Sequence, residues 1–247
     1  MSHRLYLPGE LAPSGTQPLE HLPLLVLVGL TGVGKSSLLD ALSYPALPDR
    51  RELVDRYVLP LFGYQAGDKL DRIERFALTR HFRQEHPGGV AEALAAGKTQ
   101  PVWPLVFDGL RGEDEARYAL EHLLKTYFVV LEATDLTRLS RLLDRGDNFD
   151  RVRLDRVDLD AIYQLAQGVL SADELEQALS WNVSAQELSV KLKIVAEERK
   201  NYDPTGARRA LLGSSRALFL DTEQLSLEAE VEQIRAFVNR VSLEARL

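Results

Sequence analysis

The sequence predicts a three-layer α/β fold, with a central parallel sheet and helices on both faces. Two observations carry this. Apolar runs of strand length alternate with stretches of helical period, and such uninterrupted runs read as strands buried on both sides. A glycine-rich turn then joins the first strong run directly to a helix, which places a turn at the carboxyl edge of the sheet.

Residues 1–21 hold three prolines and two glycines and read as an irregular lead-in. Leu22–Gly29 (LPLLVLVG) is the first strand, and GLTGVGKSSLLDALS turns into a helix with Leu38, Leu39 and Leu42 on one side. Residues 45–100 are charge-rich and mostly helical, with a break at Pro87-Gly88-Gly89. PVWPLVFDG is the second strand, ending at Asp108. Ala116, Ala119, Leu120, Leu123, Leu124 and Tyr127 then recur at helical spacing. FVVLEA is a third strand, followed by a helix that Thr134 or Asp135 can cap and that runs through Leu143. Residues 151–212 read as helical throughout. ALFLDT is a fourth strand, and Leu227, Val231, Ile234 and Val238 mark the stripe of a closing helix.

The chain has 247 residues, 45% hydrophobic and 27% charged, with a formal net charge of −7. That balance disfavours broad binding to nucleic acid, which needs basic surface. The chain has no cysteine, which excludes disulfides, thiolate metal sites and cysteine nucleophiles and fits a cytoplasmic location. The N-terminus lacks the apolar core of a signal peptide, and no apolar run is long enough to span a bilayer.

Gly29-Leu30-Thr31-Gly32-Val33-Gly34-Lys35-Ser36 fits G-x-x-x-x-G-K-[ST] at every fixed position. The glycines let the backbone curl so that N–H groups point at phosphate oxygens, and the following helix adds its positive end. Lys35 is placed to reach the β- and γ-phosphates and the Ser36 hydroxyl to ligate magnesium. Gly29, Thr31, Gly32, Val33, Gly34, Lys35, Ser36 and Ser37 are therefore the expected ligands of a nucleoside triphosphate, ATP with Mg²⁺. A phosphate loop works with an acid at the end of a neighbouring strand. Asp108 is the candidate, as second metal ligand beside Ser36, and Asp221 is the weaker competitor with a capping role.

Arg138, Arg141 and Arg145 fall at i, i+3 and i+7 on one helix face, apart from Leu136, Leu139 and Leu143. Such a face suits a polyphosphate, with Arg138 on the nucleotide and Arg141 and Arg145 neutralising charge during transfer. Arg50, Arg51, Arg72, Arg75 and Arg80 read as surface charges. Arg111, just beyond the Asp108-Gly109 turn, is a catalytic and substrate-binding candidate, and Arg83 a second substrate-binding one.

These pieces resemble the P-loop nucleoside monophosphate kinase superfamily, nearest its adenylate-kinase-like and dephospho-coenzyme-A-kinase-like members. GLTGVGKSS matches the kinase spacing of the loop. VFDGLRGEDEA looks like the segment in which an aspartate-glycine pair ends a strand and an arginine follows. TDLTRLSRLLDRGDNFD looks like the arginine-bearing approach to a mobile lid, and ALFLDTEQLSLEAEVEQIRAFV like the final strand and helix. The resemblance implies one kinase-like domain over residues 22–247, with an acceptor-side helical region at 45–100 and a helical lid or insertion at 151–212. It implies transfer of the ATP γ-phosphoryl group to a nucleotide or other phosphorylated metabolite. A regulatory ATPase or switch, with a protein partner on 151–212, is the other reading. A GTPase is disfavoured because no N-K-x-D string follows a strand and position 111 is arginine where D-x-x-G needs glycine.

Overall fold

The computed structural model describes residues 3–65, 68, 70–144 and 159–245, with residue 245 by its backbone alone. The strands are β1 (Gln17–Pro18), β2 (Leu24–Val28), β3 (Lys98–Thr99), β4 (Val106–Leu110), β5 (Thr126–Glu132) and β6 (Ala217–Asp221). The helices are α1 (Lys35–Leu42), α2 (Arg50–Leu53), α3 (Arg72–Glu85), α4 (Val90–Ala96), α5 (Gly112–His122), α6 (Asp135–Leu143), α7 (Leu159–Ala166), α8 (Ala172–Leu179), α9 (Ala185–Asn201), α10 (Gly206–Leu211) and α11 (Leu227–Ala245). A π-helical turn, Val54–Val58, and a 3₁₀ turn, Leu59–Phe62, continue α2.

The central sheet is parallel, four-stranded and ordered β4-β2-β5-β6. Successive side chains point to opposite sides, so β2, β4 and β5 are largely buried on both faces, while β6 at the edge is only partly so. Leu24, Val26, Val28, Phe107, Phe128 and Val130 pack with α4, α5 and α10. Leu25, Leu27, Val106, Val129 and Leu131 pack with α1 and α11. This is the three-layer arrangement expected from the apolar runs. The strand order reverses at β2, between β4 and β5, so the crevice for a ligand opens at the carboxyl end of β2.

Two local boundaries differ from the sequence reading. The helix of 113–127 ends at His122, and Tyr127 belongs to β5, where it pairs with Leu25. Its helical spacing is coincidental, because sheet pairing outweighs a period that one residue extends. Strand β4 continues past Asp108 through a bulge that skips Gly109, pairing Leu27 with Asp108 and Val28 with Leu110. Gly109 has φ +145°, and a Cβ there would lie 2.5 Å from Arg50 Cβ. The bulge lets the strand bend at the site, a common use of this irregularity.

The lead-in of 3–21 is irregular, yet Leu5, Leu7 and Leu19 belong to the core on the α4 face. Strand β1 pairs antiparallel with β3. Helices α6 to α9 build a third core of their own around Leu139, Leu142, Ile162, Leu175, Leu192 and Val195. Thr134 caps α6, and Ser171–Glu174 and Ser184–Glu187 form capping boxes on α8 and α9. Among the described residues no helix is long and apolar enough to cross a membrane.

Candidate active site

The turn from β2 to α1 carries the glycine motif. Gly34 is the N-cap of α1 in the left-handed region, and no side chain caps the helix or puts an acid in its first turn. The first N–H groups of α1 thus have no anion of the protein's own, which suits a phosphate. Gly32 has φ +89°, and a Cβ there would meet Arg138 O at 2.8 Å. Gly32→Ala should therefore cost about 2 kcal/mol or more of unfolding free energy, since strain and overlap add. A urea unfolding curve with an unchanged midpoint would refute that close fit.

Lys35 is buried, and its Nζ donates to Gly29 O at 2.8 Å and Leu30 O at 2.9 Å. Burial lowers its pKa to about 8, against the upward pull of Asp108 4.0 Å away. The Asp108 Oδ1 atom is buried with no hydrogen-bond partner among the described residues. A bare carboxylate oxygen in that position is costly unless something ligates it. Ser36 and Ser37 share the cleft wall with Asp108. Hard oxygen donors from Ser36 and Asp108 fit magnesium, and among the described residues no larger acidic or histidine cluster could hold a metal. A cation here would complete its shell on phosphate oxygens.

The cleft has a volume of about 720 Å³. Besides the loop, its wall holds Arg141, Thr222, Leu225, Leu227 and Glu230, and also Arg50, Arg51, Arg72, Phe76 and Tyr202. Arg141 donates to Thr222 Oγ1 at 2.8 Å and Thr222 O at 2.7 Å, which fixes the chain after β6 against α6. Arg111 lines the cleft, and its backbone N–H donates to Glu115 Oε2 at 2.8 Å. Arg50 spans Glu115, Gly109 O and the Tyr202 hydroxyl at 2.6–2.7 Å.

The other sequence candidates fall differently. Arg138 is 1% exposed and lies behind the loop, where it donates to Thr31 O at 2.8 Å and pairs with Asp135 and Glu198. Asp135 sits one turn before it, so the basic face does contain an acid. Val33 belongs to the core cluster of α1 and α11 and is not among the residues that line the cleft. Arg83 lies off the cleft wall, donates to Asn201 O and Oδ1 at 3.2 and 3.1 Å, and stacks on Tyr202. Arg145 lies outside the described residues.

Sequence reasoning missed several residues. Arg72 and Arg50, read as surface charges, are 6% exposed and held in a buried ion pair respectively. Arg72 donates to Thr31 Oγ1 at 2.8 Å. The buried carboxylate of Glu198, at the end of α9, meets Thr31, Arg111 and Arg138. Its one sequence signal is an acid in a last helical turn that also holds Arg199 and Lys200, where the helix dipole disfavours an anion.

No protein-family model matches the chain, and no curated protein matches it in sequence. Among solved structures it is similar to a gluconokinase from Sinorhizobium meliloti 1021, with 14% identity, a TM-score of 0.42, and 91% of this chain and 95% of that one covered. It is also similar to a shikimate kinase from Bacteroides thetaiotaomicron, at 15% identity and TM-score 0.38, covering 91% and 99%. A deoxyadenosine kinase from M. mycoides is a third, at 13% and 0.36, covering 88% and 99%. All three are kinases by name. The site rests on the geometry of the loop and its neighbours.

Proposed function

We propose that the chain is a magnesium-dependent phosphotransferase that moves the γ-phosphoryl group of ATP to a nucleotide or another phosphorylated metabolite. The observation that carries this is one cleft whose wall holds the phosphate loop, several arginines from other elements, and Asp108, whose buried Oδ1 has no hydrogen-bond partner among the described residues. Hydrolysis of ATP needs only the loop and the carboxylate; transfer also needs cations for an anionic acceptor.

Arg141, Leu225 and Leu227 offer a flat cation and apolar side chains to a base. Arg51 and Arg111 offer positive charge to an anionic acceptor, with Arg50 and Arg72 held by Glu115 and Thr31 on the same wall. In the transfer, an acceptor oxygen bonds to the γ-phosphorus as the bond from that phosphorus to the β–γ bridging oxygen breaks, and ADP leaves. If the acceptor atom is a hydroxyl, its proton passes to Asp108 or to solvent. Magnesium, held through Ser36 and Asp108, would neutralise charge on the phosphates. Lys35 and Arg111 add their charges from the loop and from the start of α5. In this reading residues 151–212 are the lid or insertion, and Arg145, outside the described residues, is assigned to neutralising charge in transfer.

A regulatory ATPase is the second reading. The separate core of α6 to α9 favours it, because a helical unit with its own interior could respond to a protein partner. Mg-ATP consumption should be followed against a panel of nucleoside monophosphates and phosphorylated metabolites, reading ADP and phosphorylated product together. Product formed one-for-one with ADP is expected. Slow hydrolysis that no acceptor changes would reject the transferase and favour the regulatory ATPase.

A further inference from the structure

Glu198 is fully buried in the last turn of α9, facing the negative end of its own helix. A lone carboxylate in that position is strongly unfavourable, so its partners decide its role. Its two oxygens accept from the Thr31 N–H at 3.2 and 3.0 Å, and Oε1 also accepts from the Thr31 hydroxyl at 2.9 Å. Arg111 reaches Oε1 at 2.8 Å, and Arg138 donates to Oε2.

Two features separate this from ordinary filling of a helix interface. First, the loop is gripped at one residue from both sides. Glu198 holds the N–H of Thr31, and Arg138, itself paired with Glu198, holds its carbonyl at 2.8 Å. The N–H of the third residue of the motif is thereby turned to the protein, which leaves the later N–H groups for phosphate. Second, Arg111 faces the cleft. One end of its guanidinium is fixed by Glu198, while its Nε is buried with no hydrogen-bond partner among the described residues. A donor left in that state beside the phosphate loop points to an anion that completes it.

We infer that Glu198 is a positioning residue, which locks the phosphate loop at Thr31 and presents Arg111 to the phosphoryl group in transfer. The inference rests on the phosphotransferase reading above. It makes α9 a strut between the helical unit and the loop. Burial pushes the Glu198 carboxyl upward, but Arg111, Arg138 and Arg72 outweigh it and hold the pKa at about 2. The carboxylate is therefore charged throughout any working pH range, and its action is by charge and geometry.

The test is a double-mutant cycle on the full chain, with Glu198→Gln, Arg111→Ala and the pair, following Mg-ATP turnover, the KM for ATP and thermal melting. Glu198→Gln should lower kcat ~100-fold while KM for ATP stays within ~3-fold. In the Arg111→Ala background the same change should lower kcat by only ~10-fold or less, because one of the two groups it positions is gone and only the hold on Thr31 remains. Glu198→Asp keeps the charge on a shorter arm, and should recover ~10-fold of the loss. Wild-type-like kcat in folded Glu198→Gln, or losses that multiply in the pair, would overturn the inference and leave the phosphotransferase standing. If Glu198→Gln does not fold, Glu198→Asp with Arg111→Ala carries the same cycle and is judged by the same rule. A wild-type chain that transfers to no acceptor overturns the phosphotransferase reading, and this inference with it.

Discussion

Asp108→Asn should lower Mg-ATP turnover about a thousandfold and leave the affinity for magnesium-free ATP within about threefold. The side chain keeps its shape, so the bulge at Gly109 and the pairing of Leu27 with position 108 survive. What is lost is the anionic oxygen that faces the loop with no hydrogen-bond partner among the described residues. An amide ligates magnesium weakly and cannot take a proton from an acceptor hydroxyl. The magnesium concentration for half-maximal rate should rise with the loss. Steady-state kinetics across a magnesium series decides it, and an unchanged magnesium response would remove Asp108 from the metal site. Asp221 would then be the carboxylate to replace next.

Lys35→Ala should weaken ATP binding about 100-fold, or about 3 kcal/mol. The ammonium is already out of bulk water, so binding phosphate exchanges two carbonyl partners for a polyanion with little further desolvation. Its pKa of about 8 in the free chain gives a second signature. Below that value the group is charged and binds phosphate; as pH rises through it, the charge is lost and affinity falls. A bound polyphosphate favours the charged form, so ATP binding near pH 8.5 should take up protons. Calorimetry in buffers of different ionisation enthalpy reads that uptake, and Lys35→Ala should abolish it. Equal uptake in wild type and variant would refute the assignment. In the free chain the same depression acts on folding with the opposite slope. The unfolded chain binds the extra proton between about pH 8 and the ordinary value of 10.5, so this group's contribution to stability rises over that window.

The parts of the site legible in the sequence are those whose chemistry is local. A phosphate loop needs its glycines, lysine and serine within eight consecutive positions, so Gly29–Ser36 announces itself. Asp108 was readable because an apolar run ending in Asp-Gly marks a strand's carboxyl end, and the parallel sheet brings that end beside the loop. The four strands were legible for the same reason: burial on both faces leaves an unbroken apolar signature. Glu198 was not readable. Its partner Thr31 is 167 residues away, and its other partners come from the starts of α5 and α6. Arg138 shows the limit of a helical period. The spacing predicted a face turned to phosphate but could not tell that Asp135 and Glu198 would claim the Arg138 guanidinium behind the loop. Arg50 and Arg72 read as surface charges because composition gives no hint of Glu115 or of the Thr31 hydroxyl closing on them.

The placement of β6 beside β5 has a consequence for how the chain assembles. The two strands are neighbours in the sheet, yet roughly 80 residues separate the end of one from the start of the other. Closing a flexible connection of that length costs about 2 kcal/mol more than closing one of ten residues. Much of the connection, however, is α6 to α9, which have their own interior and can condense before the sheet is finished. Once they have, the effective length left to close is short. The last strand and α11 then dock on an edge already prepared for them, and α11 covers the face of Leu25, Leu27 and Val129. The helical unit beside the cleft thus shortens the search by which the last strand and α11 find their place in the core.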